Sequence, residues 1–137
     1  MSTSAFSPHD PYLLKASGLI GAFVTLFGTA ILVRPSFGLS AWKFISPTAS
    51  KDKQLALDQF RLFGVREAFL GTALVTCWFL GEPKVLGWLM LATIPVAVVD
   101  GVVQRSQTGG GEWSHWGLVP VVFGLGGGLL GWFERMI

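Results

Sequence analysis

The chain has 137 residues, of which 51% are hydrophobic and only 13% are charged. Roughly 25% of the residues of an ordinary soluble domain are charged, so this composition predicts an integral membrane protein in contact with the lipid bilayer. Ten basic and eight acidic residues give a net charge of +2. These charges collect in the connections and at the ends of the predicted helices, so no nucleic-acid-binding surface is expected. The length predicts a single membrane domain over residues 1–137 and excludes a multidomain enzyme.

The first apolar run extends over eighteen uncharged residues, 16–33, and predicts a membrane-crossing helix over residues 12–33. Arg34 and Pro35 end this helix, because a charge and a proline follow each other directly. A cleaved signal peptide is the competing interpretation. Asp10 precedes the run and no small-residue cleavage site leads into a soluble domain, so we expect a retained helix.

A second helix is predicted over residues 57–80, although four charged residues occupy its first part. Fourteen uncharged residues, 68–81, follow those charges and are apolar enough to enter the bilayer. Glu82 and Pro83 then form a short turn, with proline at a position that a first helical turn tolerates. The third helix, residues 84–105, is therefore expected to lie antiparallel to the second.

Three consecutive glycines, 109–111, interrupt the chain, and a fourth helix is predicted over residues 114–134. No segment alternates apolar and polar residues with a period of two, so the strands of a membrane barrel are not expected. Helices and closed barrels are the structures that cross a bilayer. The sequence therefore predicts an all-α bundle of four transmembrane helices.

Basic residues are divided unevenly between the two ends of the predicted bundle. One end carries Arg34, Lys43, Lys51, Lys53, Arg61 and Arg105. The other end carries Lys15, Lys84 and Arg135. Because positive residues favour the cytoplasmic side, we expect both termini on the lumenal side of an endoplasmic reticulum membrane. The tryptophans are expected to form a belt at each interface, Trp78, Trp88 and Trp132 at the terminal end and Trp42, Trp113 and Trp116 at the other.

Small residues are spaced along the predicted helices in a way that permits close backbone approach. These glycines are Gly21 and Gly28, Gly64 and Gly71, and the pairs Gly124 with Gly128 and Gly127 with Gly131. Two interpretations are open, packing within one chain and packing in a homo-oligomer.

Four ionisable residues fall inside or at the edge of the predicted spans, where an uncompensated charge is costly. They are Arg66, Glu67, Asp100 and His115. From the helical rise, Glu67 lies roughly 9 Å inward from Arg61, and Asp100 roughly 7.5 Å inward from Arg105. The two carboxyls are therefore expected at the same depth, with His115 beginning the next helix on that face. This convergence predicts a polar site at one end of the bundle.

Arg66 is the expected counter-ion of Asp100, because a guanidinium holds a carboxylate ionised and fixed in orientation. Two carboxyl groups in unequal surroundings are the arrangement that separates a general base from a general acid. The alternative is an interhelical clamp between Arg66 and Asp100 that fixes the register of two helices. His115 is alternatively an interfacial residue with no chemical role.

Other kinds of site are not expected. The sequence has no His-x-x-x-His or Cys-x-x-Cys spacing, so no metal is predicted. No glycine-rich loop follows a strand, so neither a nucleotide nor another cofactor is expected. A single cysteine, Cys77, leaves no intrachain disulfide.

Three short segments of the sequence carry a resemblance to a known group. They are F-G-V-R-E-A-F-L-G at residues 63–71, P-V-A-V-V-D-G at residues 95–101, and a histidine at the next span. With them the chain resembles a family of small fungal four-helix integral membrane proteins of unknown function, which look similar to DoxX-like proteins. Some of these are encoded beside polyketide or terpenoid pathways. The resemblance implies an epoxide hydrolase or cyclase that acts through Arg66, Glu67, Asp100 and His115.

The predicted function is therefore the opening of an epoxide in a lipophilic small-molecule substrate by general acid and base catalysis. Asp100, oriented by Arg66, is the expected base, and Glu67 or His115 the expected proton donor. Aromatic side chains are expected to line the substrate pocket, namely Trp113, Trp116, Phe60 and Phe63. The alternative function is a non-catalytic bundle that scaffolds a membrane enzyme or binds a lipid or quinone.

Overall fold

The computed structural model of the chain describes residues 7–134, and these residues form helices and no strand. In chain order the helices are α1 (Pro11–Val33), α2 (Pro35–Ala41), α3 (Ser50–Phe79), α4 (Pro83–Thr108), α5 (Trp113–Trp116) and α6 (Val119–Leu129). Arg135, which we expect to flank the terminal end of the bundle, lies outside the described residues.

Three helices, α1, α3 and α4, are long and apolar enough to cross a membrane. Their lengths are 23, 30 and 26 residues, against the ~20 residues that a bilayer core requires. The all-helical prediction is confirmed, and these helices are those of an integral membrane protein. Asp10 begins α1 by accepting hydrogen bonds from the backbone N–H groups of Tyr12 and Leu13, at 2.8 and 3.1 Å, which caps the helix at its N-terminus.

Helix α3 corresponds to the second of the predicted helices. It begins at Ser50, seven residues before the predicted start at residue 57. The added segment is polar, so a hydropathy argument does not detect it. Lysine and glutamine are nevertheless good helix formers, and the helix continues beyond the apolar run.

Helix α4 ends at Thr108, because the next residue, Gly109, adopts a left-handed φ of 75°.

The predicted fourth helix over residues 114–134 is divided in the structure. Gly117 and Leu118 separate α5 from α6, and the N–H of Leu118 bonds to His115 in a tighter turn, at 3.1 Å. Pro120 lacks an N–H group, which removes the helical bond to Trp116 and favours this break. The eleven residues of α6 span about 16 Å, roughly half of a bilayer core. Three helices of spanning length are thus present within residues 7–134.

Helix α2 was not predicted, because Pro35 was interpreted only as the end of the first helix. Proline is favoured at the first position of a new helix, and here it begins α2 directly after Arg34. The ring of Phe60 on α3 lies against Gly38 of this helix, where a side chain would collide with it. The short helix therefore folds back onto α3 and places Trp42 next to the predicted polar site.

Glycines bring α1 and α3 into direct backbone contact. A Cβ atom at Gly28 would lie 2.7 Å from the carbonyl oxygen of Gly64, and one at Gly64 would lie 2.8 Å from that of Gly28. Gly87 on α4 and Gly126 on α6 approach each other in the same way, at 3.0 Å in both directions. These glycines pack within one chain. A Cβ atom added at Gly124 would meet no atom of another helix within 4 Å, and a homo-oligomeric contact through Gly124 and Gly128 stays a prediction.

A small core joins the α1–α3 pair to the α4–α6 pair. Its buried members are Leu74, Leu86, Met90, Val122 and Leu129. Leu74 lies seven residues beyond Glu67 on α3, and Met90 ten residues before Asp100 on α4, which is roughly 10 to 15 Å along the helices. The apolar core therefore lies toward the end of the molecule that carries the chain termini, and the polar site lies toward the opposite end.

Candidate functional site

Arg66 of α3 binds two carboxylates at once. Its Nη2 donates a hydrogen bond to Oδ2 of Asp100 on α4 at 2.6 Å. Its Nε and Nη2 also donate to Oε1 of the adjacent Glu67, at 3.2 and 3.1 Å. The predicted ion pair between Arg66 and Asp100 is therefore present. We call Arg66, Glu67 and Asp100 the carboxylate triad.

The carboxylate triad is largely withdrawn from the surface. The side chains of Asp100 and Glu67 are 14% and 18% exposed, whereas that of Arg66 is 38% exposed. The guanidinium carbon of Arg66 lies 4.6 Å from the ring centre of Phe63, one turn earlier on α3, in a cation–π contact. Because two carboxylates share one guanidinium, the triad carries one net negative charge when both are ionised. Charges of this kind are retained in membrane helices where they are paired or face a cavity.

His115 lies on α5, outside the three spanning helices, and faces the carboxylate triad. Its ring stacks on Trp42 with centroids 5.4 Å apart and an interplanar angle of 19°. This stacking holds the imidazole ring in place. The ring makes no hydrogen bond to any of the described residues 7–134. Burial lowers the pKa of His115, Asp100 opposes the change and Arg66 adds to it. The ring is therefore neutral near pH 7 and has both nitrogens available to a ligand.

Trp42 is the aromatic centre of the site, a role that the sequence analysis did not predict. Its indole meets Phe63 of α3 edge-on at 4.7 Å and Phe27 of α1 edge-on at 5.3 Å. It thus touches α1, α3 and α5 together. The sequence placed Trp42 in an interfacial belt, because the helix that carries it inward, α2, was not recognised.

Gln104, buried on α4, ties the neighbouring segments together. Its Nε2 donates a hydrogen bond to the carbonyl oxygen of Trp42 at 3.3 Å. The hydroxyl of Ser114 donates to its Oε1 at 3.0 Å. Nearby, Arg105 pairs with Glu112 at 2.9 Å. These contacts fix α5, and therefore His115, relative to the end of α4.

Two cavities meet at this end of the molecule. The outer cavity has a volume of about 760 Å³ and lies between α2, the segment that follows it, α3 and α4. Its wall includes exposed polar residues, Asp52, Gln59 and Gln107. The inner cavity has a volume of about 300 Å³ and lies between α1, α3, α4 and α6, with mainly apolar walls.

The boundary between the two cavities is made of residues that line both. They are Trp42, Phe63, Asp100 and His115. Arg66 lines the outer cavity and Glu67 the inner one. Asp100 is therefore reached from both sides, whereas its two partners in the triad face different spaces.

The aromatic residues that the sequence assigned to the substrate pocket are found in two places. Phe60 lines the outer cavity, and Phe63 lines both. Trp113 and Trp116 line neither cavity. Trp113 is 71% exposed, and the indole N–H of Trp116 donates to the carbonyl oxygen of Val98 at 3.2 Å. Trp116 thus fastens α5 to α4, and Trp42 occupies the position by the triad.

Among the described residues 7–134, no group of three His, Cys, Asp or Glu side chains is placed to hold a metal ion. What the arrangement offers chemically is acid and base groups. Two carboxyls and a neutral imidazole meet beside apolar space, which is the setting in which proton transfer to a lipophilic molecule is possible.

Comparison with known proteins gives one match. Residues 21–129 match the model of a protein family described as a domain of unknown function, DUF4267. No curated protein matches the chain, and no solved structure does. The matched segment runs from the middle of α1 to the end of α6 and contains the carboxylate triad and His115. The chain belongs to the DUF4267 family.

Proposed function

We propose that the protein is a membrane-embedded enzyme that opens an epoxide in a lipophilic molecule by general acid and base catalysis. A polyketide or terpenoid intermediate is the substrate class, following the resemblance to fungal membrane proteins. The observation that carries the proposal is the carboxylate triad, in which one arginine binds two carboxyls beside an apolar cavity. No cofactor is required, because the opening is neither an oxidation nor a reduction.

Asp100 is the proposed base. It accepts the proton of a water molecule or of a substrate hydroxyl as the oxygen of that nucleophile bonds to an epoxide carbon. The bond from that carbon to the epoxide oxygen breaks, and the oxygen takes a proton from an acid. Arg66 holds Asp100 in one orientation through its 2.6 Å hydrogen bond, and an oriented base is effective within hydrogen-bond distance of the proton it removes.

Glu67 is the proposed acid. One proton on the two carboxyls makes the carboxylate triad electrically neutral, which favours one ionised and one protonated group in an apolar setting. His115 is the weaker candidate, since its lowered pKa leaves it neutral near pH 7. We assign His115 to the binding of the substrate oxygen, through a hydrogen bond from its ring.

Two reactions share this mechanism. Hydrolysis uses water and yields a diol, whereas cyclisation uses a hydroxyl of the substrate and incorporates no water. The outer cavity, with its exposed polar residues, is the proposed route for water to Asp100.

The membrane arrangement that we propose has four crossings. The fourth consists of α6 together with the turns after it, and α5 lies at the interface. Support comes from the packing of α6 along α4 through Gly126 and Gly87. The excess of basic residues from Arg34 to Arg61, at the end of the molecule that carries α2 and the start of α3, favours lumenal termini in the endoplasmic reticulum, by the positive-inside tendency.

The test is turnover of a terpenoid epoxide by membranes that contain the protein, in water enriched in oxygen-18. We expect wild-type product, with labelled oxygen if the reaction is hydrolysis. Glu67→Gln is expected to lower the rate by about 10²-fold or more, the usual contribution of a positioned acid. Asp58→Asn is the matched control, because Asp58 lies on the same helix but pairs with exposed Arg61 away from the triad. No product from wild-type membranes across a panel of lipophilic epoxides would contradict the proposal.

A second function, an interhelical clamp in a scaffold protein, is favoured by one observation: Arg66 closes an ion pair between α3 and α4. For a scaffold we expect no turnover by any variant and loss of folding in Asp100→Asn, since removal of one partner strands a charge.

A further inference from the structure

The inner cavity has the composition of a binding site for a hydrocarbon chain. Most of its wall is apolar, and the aliphatic part includes Ile20, Val24, Leu70, Leu74, Val96 and Val122. Its polar lining residues are concentrated where α3, α4 and α5 meet, with Glu67, Asp100 and His115. An apolar cavity with a few polar groups at one end is the usual form of a site for an amphiphilic small molecule.

The inner cavity also reaches the outer face of α1. Phe23 lines it, although its side chain is 64% exposed. On a helix long and apolar enough to cross a membrane, such an exposed aromatic residue faces lipid. A molecule dissolved in the bilayer therefore has access to the cavity beside Phe23, without passing through water.

The charges at the polar end decide which molecules fit there. Among the described residues that line the two cavities, Arg66 supplies the guanidinium, and two carboxylates already bind it. His115 is neutral near pH 7. An anionic head group would therefore lie next to a carboxylate in a poorly screened site, with no free cation to pair with. The repulsion between the two negative charges makes its binding unfavourable. A neutral group that donates and accepts hydrogen bonds meets no such repulsion.

We propose that the inner cavity binds the hydrocarbon part of a neutral, hydrogen-bonding lipophile taken from the bilayer, such as an alcohol or epoxide, and rejects the carboxylic acid of the same length. The polar group of this ligand lies against Asp100 and His115. This inference rests on the proposed function, which places the substrate beside the carboxylate triad. It adds that the charge of a molecule decides whether the molecule is accepted as a substrate.

The experiment measures binding without turnover. Ala97 lines the inner cavity, so Ala97→Cys in a Cys77→Ala background reports on its occupancy through the rate of labelling by N-ethylmaleimide. The probes are n-decanol and n-decanoic acid, compared at about pH 8.5, where an ordinary carboxylic acid is ionised. Decanol at ten times its Kd is expected to slow labelling about tenfold, because the reactive form is the unoccupied protein. Decanoic acid is expected to leave the rate unchanged.

Two variants control this comparison. Gln59→Cys places the thiol in the outer cavity and is expected to react at the same rate with and without decanol. Asp100→Asn, added to the Ala97→Cys protein, removes the ionised carboxylate that faces the ligand's polar group and is expected to let decanoic acid protect the thiol. Each variant is checked by its melting temperature in detergent.

The outcomes separate this inference from the proposed function. Equal protection by the acid and the alcohol, or protection by neither, overturns the inference even if epoxides are converted. Protection by decanol alone in a protein that converts no epoxide supports the binding site and overturns the enzymatic proposal.

Discussion

The candidate site is held together by a single residue, Arg66, which two carboxyls share. Arg66 reaches Asp100 through Nη2 and Glu67 through Nε and Nη2, a geometry that uses the planar fork of the guanidinium. A lysine at this position offers a single ammonium group and does not reproduce the fork. The identity of the cation, and not only its charge, is therefore expected to matter.

The first prediction concerns Arg66→Lys. It is expected to lower the free energy of unfolding by about 1–3 kcal/mol, because at least one charged hydrogen bond to a half-buried carboxyl is lost. Thermal unfolding in detergent measures the effect, with Arg61→Lys as the control, since Arg61 is exposed and pairs only with Asp58 among the described residues. Equal melting temperatures for the two variants would contradict the shared-cation account.

The second prediction concerns pH. Burial lowers the pKa of His115 in the folded protein, so near and below the unfolded value of about 6.5 the unfolded chain binds more protons than the folded one. The neutral ring therefore makes its full contribution to the free energy of unfolding above that value. This contribution is lost as the pH falls through the pKa of His115 in the folded protein. The melting temperature of the wild type is therefore expected to fall more than that of His115→Gln between pH 7.5 and 5. Parallel pH profiles would be inconsistent with a depressed pKa.

At the scale of helices, the α1–α3 contact positions the carboxylate triad. Gly28 and Gly64 allow the two backbones to touch, one turn or less from Arg66 and Glu67 on α3. Close approach through small residues is the main source of helix association in lipid. Loss of this contact is therefore expected to affect both folding and the site.

The third prediction compares two glycines. Gly28→Ala is expected to destabilise the protein by about 1–3 kcal/mol, as overpacking does, because its Cβ would lie 2.7 Å from a carbonyl oxygen. Gly124→Ala meets nothing within 4 Å and is expected to be neutral, or stabilising by up to ~1 kcal/mol from helix propensity. Chemical unfolding measures both. A neutral Gly28→Ala would show that the contact does not carry the packing.

Sequence reasoning located the long helices and the partnership of Arg66 with Asp100, because uncharged runs and isolated charges are visible along the chain. It did not find Trp42, since that residue acquires its role through the return of α2 onto α3. It also assigned Trp113 and Trp116 to the pocket, and neither lines a cavity. On a short helix such as α5 neighbouring side chains point in different directions, and three-dimensional packing decides which of them face a cavity.

At the scale of the whole molecule, the two helix pairs are joined by an apolar core at one end and are separated by cavities at the other. The wall of the outer cavity includes exposed polar residues, whereas the wall of the inner one includes Phe23, which is exposed on α1. Trp42, Phe63, Asp100 and His115 stand between them. In the proposed mechanism, substrate from the bilayer and water from the interface meet at Asp100.

The fourth prediction concerns topology. Four crossings place the N- and C-terminal ends of the chain on the same side of the membrane, whereas three crossings place them on opposite sides. Epitope tags at both ends are expected to show equal protection from protease in sealed microsomes, with a tag in the segment between α2 and α3 digested as the control. Protection of one terminal tag alone would show that α6 does not cross.

The most direct test of the central claim is the rate constant for epoxide opening by purified Asp100→Asn, measured beside its melting temperature. Asparagine keeps the shape of aspartate and removes the base. We predict a melting temperature within a few degrees of the wild type and a rate lower by about 10²-fold or more. An unchanged rate would contradict the assignment of Asp100 as the base. If the wild type opens no epoxide and Asp100→Asn fails to fold, the carboxylate triad is an interhelical clamp.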